Sequence, residues 1–150
     1  MKTQEVFFFF LIFVLVLLFI YFITAKGKKK NILLTNALGK KVKVEVDLAD
    51  NFTTQVKGLM GRTVLGDQEG MLFIFNRSAI HGFWMLNTSL ELEAIHFSEN
   101  GLVVDIIKMQ PNTMNKYYPK ESSKYVLEVC SGFSEKNKIS IGKSKLVLPP

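Results

Sequence analysis

The sequence predicts a small, mainly β domain, a barrel or sandwich of about seven or eight short strands with one or two short helices, behind a single N-terminal transmembrane helix. Three observations carry this. Residues 6–25 (VFFFFLIFVLVLLFIYFITA) contain no charge. At 1.5 Å per residue such a stretch spans roughly 30 Å, the thickness of a bilayer's hydrocarbon core. After residue 31 the apolar residues come in short runs of strand length, several of them alternating with polar ones, and Gly, Pro and Asn separate the runs. Seven or eight such runs with little helical periodicity argue for a closed or two-layered β fold.

The chain divides into a tail (1–5), the apolar anchor (6–25), a basic linker (26–31) and the β-rich domain (32–150). A cleavable signal peptide has an apolar core of about 7 to 15 residues. The longer run here favours an uncleaved anchor, with a removed signal as the alternative. The formal charge of +6 suggests nucleic acid until it is located. Of 19 basic residues, Lys2, Lys26, Lys28, Lys29 and Lys30 precede the domain, as does Glu5 among 13 acids, which leaves the domain 14 basic residues against 12 acidic ones. Near-neutrality removes the basis for nucleic-acid binding. Lysines beside an anchor attract anionic headgroups, so membrane lipid is the partner expected through residues 6–30. The lone Cys130 excludes an intramolecular disulfide. The lysine flank favours a cytoplasmic domain by the positive-inside bias.

Within the domain, residues 31–35 and 41–48 read as two strands. Val42, Val44 and Val46 share one face and Lys43, Glu45 and Asp47 the other, the mark of a strand wet on one side. Asp50 and Asn51 offer N-caps for a helix from Phe52 to about Met60, ended by Gly61. The run Gly70 to Phe75 is continuously apolar and too short for a helix, so it reads as a strand buried on both faces. A turn over residues 76–80 leads to a strand at 81–86, a turn at 87–89 and a strand at 92–98. Asn100-Gly101 closes a hairpin onto 102–109, since Asn-Gly favours the tight hairpin turn. Residues 110–123, with two prolines, form a loop that is either a lid or poorly ordered. A strand at 125–130, a helical turn near 132–137 and one or two strands in 138–148 complete the domain.

Five ordered runs then support a resemblance: Gly58-Leu59-Met60-Gly61-Arg62, Gly70-Met71-Leu72-Phe73-Ile74-Phe75, Phe83-Trp84-Met85-Leu86-Asn87-Thr88, Tyr125-Val126-Leu127-Glu128 and Ile139-Ser140-Ile141-Gly142. Together they closely resemble the prokaryotic family called domain of unknown function 192, over about Val42 to Leu148. The resemblance implies one mainly β domain, often exported or anchored, with no established activity. The export habit opposes the lysine flank, and the side of the membrane stays undecided. Where the family has Pro-Leu-Asp after the Asn-Thr turn, this chain has Glu91-Leu92-Glu93. That puts in doubt any site needing an exact carboxylate position.

Few residues offer chemistry. Glu93 would share a strand face with Ile95 and Phe97, and a carboxylate on an apolar face needs donors or a cation. Arg62, present in the family pattern, is its expected partner, because guanidinium meets carboxylate bidentately. The pair reads either as a structural tie from the helix-end loop to the sheet or as a ligand-facing pair. Asn87 and Thr88 either fix a turn or, beside the Trp84 indole, floor a pocket for a small polar or carbohydrate-like ligand. Glu128 is a second half-buried acid that could pair with Glu93 in acid–base catalysis. His81 and His96 stand at no spacing familiar from zinc sites, and Met60, Met71 and Met85 read as packing. No cofactor is expected. The sequence reading is therefore a non-enzymatic binding or accessory module with a site at Arg62, Trp84, Asn87, Thr88 and Glu93, covered by residues 110–123. The alternatives are an envelope-associated hydrolase or lyase using Glu93, or a structural partner in a membrane protein complex.

Overall fold

The computed structural model describes residues 3–24 and 28–147. The N-terminal helix α1 (Thr3–Thr24) precedes seven strands that form one sheet: β1 (Lys29–Thr35), β2 (Lys41–Ala49), β3 (Glu69–Ala79), β4 (Leu92–Phe97), β5 (Val103–Met109), β6 (Ser123–Cys130) and β7 (Lys145–Leu146). Two short helices interrupt them, α2 (Phe52–Lys57) and α3 (Phe133–Asn137). The sheet order is β5-β4-β6-β3-β2-β1-β7. Only β2 and β3 run parallel, joined by the α2 crossover. The sheet curls until its edges approach: β7 pairs with β1, while Lys145 bridges Leu102 just before β5. The mainly β expectation thus resolves to a seven-stranded half-barrel.

The expected anchor is overturned. Among the described residues no helix is long and apolar enough to cross a membrane. The transmembrane helix over 6–25, the single-pass arrangement and the membrane localisation are corrected accordingly. The lipid contact expected through 6–30 rested on that anchor. Residue 25 of the expected anchor and residues 26–27 of the expected linker lie outside the described residues, and Lys29 and Lys30 already belong to β1.

Strand alternation dictates the packing. Val44 and Val46 point inward while Lys43 and Glu45 face solvent, the one-sided pattern read from the sequence. The central strands are covered on both faces. Leu72, Ile95, Phe97, Leu127 and Val129 join Val44 and Val46 inside the half-barrel. Met71, Phe73, Leu92, Ala94 and Val126 pack on the outer face beneath α2 and the loop before β4. All six residues of β4 are therefore buried. Gly70 is required at the closest strand approach, since a Cβ there would lie 2.5 Å from the Glu128 backbone oxygen.

Two sequence expectations differ. β3 continues through Ala79, where a turn was expected from 76. Residues 81–86 form no strand; Phe83 makes a single bridge, to Tyr117. Of the one or two strands expected in 138–148, one forms among the described residues, β7, and the backbone around Ser140 to Ser144 before it closes on itself in a turn.

Candidate functional site

The outer face of β3 and β6 carries a cavity of about 350 Å³ between α2, its C-terminal turn and the loop 80–88. Local sequence builds each wall. Asn51 caps α2 in a reciprocal capping box with Thr54, and Gln55 Nε2 donates to Ile74 O at 2.9 Å, pinning the helix over β3. Gly58 ends the helix at φ 50°, a left-handed backbone that glycine tolerates without strain. The Gly61 N–H then donates to Asn87 O at 2.9 Å, joining the helix-end turn to the opposite wall.

That opposite wall is the stretch expected to be a strand. Its backbone bonds go to the 110–118 loop instead: Phe83 and Tyr117 exchange N–H···O bonds at 2.9 and 2.7 Å, and Met85 N donates to Thr113 O at 3.0 Å. The loop is braced in turn, as Gln110 N donates to the Tyr117 hydroxyl at 3.0 Å. It forms a buttress that contributes Lys116 to the cavity wall.

The floor is aromatic with one acid. Phe73 and Phe83 meet edge to face at 5.0 Å, and His81 stacks on Phe75 at 3.6 Å. Trp84, 40% exposed, stands at the rim with Lys116 Nζ 6.0 Å from its ring centre. Glu128 projects from β6 into this setting. It is 4% exposed, and burial alone pushes its carboxyl up to about 8. Among the described residues no hydrogen-bond donor meets that carboxyl group.

The five residues singled out from the sequence separate. Trp84 and Thr88 line the cavity. The Thr88 hydroxyl, however, donates to Leu86 O at 3.1 Å and so fixes its own turn. Asn87 adopts φ 50° within the same turn and faces outward. Arg62 does not meet Glu93. Its guanidinium pairs with Asp47 at 2.5 Å and Glu69 at 3.4 Å, so it ties the helix-end loop to β2 and β3 through other acids than expected. Glu93, 1% exposed, points into the half-barrel, where its carboxylate accepts from Ser134 N at 2.5 Å and Gly132 N at 3.3 Å. Ala94, not Glu93, stands opposite Glu128. The two acids therefore occupy opposite faces of the sheet, and a catalytic pair between them is excluded.

Cys130 donates to Leu65 O at 3.3 Å, and burial raises its thiol pKa, which keeps it protonated and unreactive. No group of three or more metal-ligating side chains stands together among the described residues.

Behind the Phe83 ring lies His96, 0% exposed. Its Nδ1 is 3.1 Å from Ser123 Oγ, and its Nε2 has no partner. Burial, partly offset by Asp105, lowers its pKa to about 4. A depressed folded-state value means that stability is lost as pH falls from about 6.5 to about 4. Glu128 titrates with the opposite sign over much of that interval, so the parent profile alone is ambiguous. The difference between parent and His96→Asn carries the signal: the parent should lose about 3 kcal/mol relative to the variant from pH 6.5 to 4. Urea denaturation at the two pH values measures it, and a constant difference would show that His96 protonates freely in the fold.

Comparison with known proteins agrees with this architecture. The profile of DUF192, described as an uncharacterised ACR, matches residues 33–146. The chain belongs to this family. It is 28% identical over 115 residues to the UPF0127 protein PF1050 of Pyrococcus furiosus, covering 73% of this chain and 92% of that protein. Among solved structures, a Sinorhizobium meliloti 1021 protein described as a candidate transcription regulator superposes with a TM-score of 0.78 at 27% identity, covering 82% of this chain and 95% of that one. A protein of unknown function from Novosphingobium aromaticivorans DSM 12444 superposes with a TM-score of 0.76 at 28% identity, covering 81% and 86%. As a DUF192 domain, the chain has its Gly58-Leu59-Met60 and Phe83-Trp84-Met85 runs on the two facing walls of the cavity.

Proposed function

We propose that this DUF192 domain is a non-enzymatic binding module that takes a small ligand in the cavity over β3 and β6. The observation that carries the reading is the cavity itself, with aromatic walls around one buried, unpartnered carboxyl group. Small-molecule sites are concave and mostly apolar, with few polar groups that fix orientation. The carbohydrate-like ligand expected from the sequence loses its support here. Thr88 is committed to its turn, and Arg62, Asn87 and Glu93 lie elsewhere. A less polar molecule suits walls of Phe73, Phe83, Trp84 and Met85. The hydrolase or lyase reading needs an accessible Glu93, whereas that carboxylate is enclosed beneath α3.

Trp84 is the only tryptophan and lines the cavity, so its fluorescence reports occupancy. Titration with small aromatic and aliphatic alcohols, amines, carboxylates and sugars should identify one class that shifts the emission and raises the melting temperature. Val56→Phe, which fills part of the opposite wall, should abolish both responses. An emission shift that survives Val56→Phe, or no response to any class, would overturn the reading.

A further inference from the structure

The cavity floor also indicates the ligand's charge. Glu128 is enclosed, and no donor from the protein reaches it among the described residues. An unpartnered buried carboxyl group is costly whether neutral or ionised. Phe73, Phe75, Phe83 and Trp84 line the same cavity, and aromatic rings attract cations through the negative quadrupole of their faces. The approach from α2 is open because Gly58 has no side chain; a Cβ there would stand 4.0 Å from Glu128 Oε2. We propose that the site binds a monovalent organic cation, an amine or quaternary ammonium on a small apolar body, with its charge against Glu128 and its carbon atoms on Phe73, Phe83 and Trp84. This rests on the binding reading above and deepens it.

Competing ligand classes meet specific obstacles. An anion would be attracted by Lys57 and Lys116 and repelled by Glu128 only where that group is ionised, so its affinity should fall as pH rises toward 8, the opposite of the profile expected of a cation. A neutral molecule would leave the carboxyl group with at most a hydrogen bond. A bare metal ion would find one carboxylate where it needs several ligands. A polyamine would carry its further charges toward Lys57 and Lys116, which line the same cavity. His81, the other titratable group on the wall, is held neutral by burial, which lowers its pKa. Glu128 is the one acid among the lining residues, so it can meet a single positive charge.

The proton balance gives a signature. Near neutral pH Glu128 holds its proton in the empty cavity, so each cation bound sends one proton to solvent. For a permanently charged ligand, affinity should rise about tenfold per pH unit up to about pH 8 and level off above it.

The test uses the full chain, Trp84 fluorescence and two probes of nearly the same shape, choline and its neutral carbon isostere 3,3-dimethylbutan-1-ol. Choline should bind at least tenfold more tightly than the isostere at pH 8, follow the stated pH profile and, at pH 6.5 to 7, release about one proton by calorimetry in buffers of different ionisation enthalpy. Glu128→Gln should bring choline down to the isostere's affinity. Should that variant not fold, the two probes and the pH profile of the parent decide. Equal affinities, or choline binding independent of pH, would overturn the cation assignment while the binding reading stands. Failure of both probes together with every class titrated above would overturn both.

Discussion

Glu128→Gln is expected to stabilise the domain at pH 9 by about 4 kcal/mol while leaving it nearly unchanged at pH 4.5. The folded-state carboxyl group titrates at about 8, against the model value of 4.5. Between these values the native state holds a proton that the unfolded chain has released. Stability is then present in full below about pH 4.5 and falls as pH rises to about 8. Glutamine preserves the side chain's length and its hydrogen-bonding capacity but has no charge to desolvate. The parent's unfolding free energy, from urea denaturation at half-unit pH steps, should decline from pH 6.5 to 8. Over that range His96 already shows its neutral-pH behaviour, so the decline belongs to Glu128. A flat parent profile would mean that the carboxylate is solvated or paired, and the case for an orphaned acid would end. A saturating ligand that supplies a positive charge should flatten the same profile by meeting the ionised form. The instability and the binding site are thus two aspects of one desolvated group.

Much of the sheet is legible because local pattern and final burial coincide. The Val42, Val44, Val46 alternation becomes β2 with the expected face inward. Asn100-Gly101 makes the β4–β5 hairpin, with Gly101 at φ 80°. The unbroken run from Gly70 to Phe75 enters a strand covered on both faces. Residues 81–86 mislead for an identifiable reason. Their alternation is real, since Phe83 and Met85 are buried while Gly82 and Trp84 are exposed. Their backbone partners, however, are Thr113 and Tyr117 in a loop. A pattern of side chains reports burial, and the element that supplies the hydrogen bonds stays invisible to it.

The candidate site was half legible for a related reason. Trp84 and Thr88 follow the wall of the cavity, and the alternation of Glu128 with Val126 and Cys130 places all three on one face. That this face would be the cavity floor depends on α2 folding over it. Arg62 ties the helix-end loop to the sheet, one of the two readings open for it, but the acids it reaches, Asp47 and Glu69, lie on neighbouring strands whose pairing no local pattern announces. The error was to give Arg62 and Glu93 to each other because both are polar and both occur in the family pattern. Charge complementarity names possible partners. The pleat decides which of them share a face.

Glu93 supplies the other large effect. Glu93→Ala should destabilise the domain by about 4 kcal/mol, the combined cost of a buried cavity and of two backbone N–H groups left without acceptors. Those groups belong to Gly132 and Ser134, 39 and 41 residues downstream, so the carboxylate fastens the turn before α3 to the centre of β4. Phe133 between them packs inside the half-barrel with Ile95 and Val129. Losing the acceptor loosens that turn and with it one contributor to the inner core. Glu93→Gln retains one acceptor oxygen and should recover roughly half of the loss. Equilibrium denaturation of the two variants provides the measurement, and parent-like stability for Glu93→Ala would show that water or a rearranged turn satisfies these N–H groups. Because Glu93 and Glu128 project from opposite faces, folded Glu93→Gln should keep the parent's Trp84 response to any ligand of the cavity. A loss of stability without a loss of binding would assign Glu93 to the architecture and leave the chemistry of recognition to the outer face.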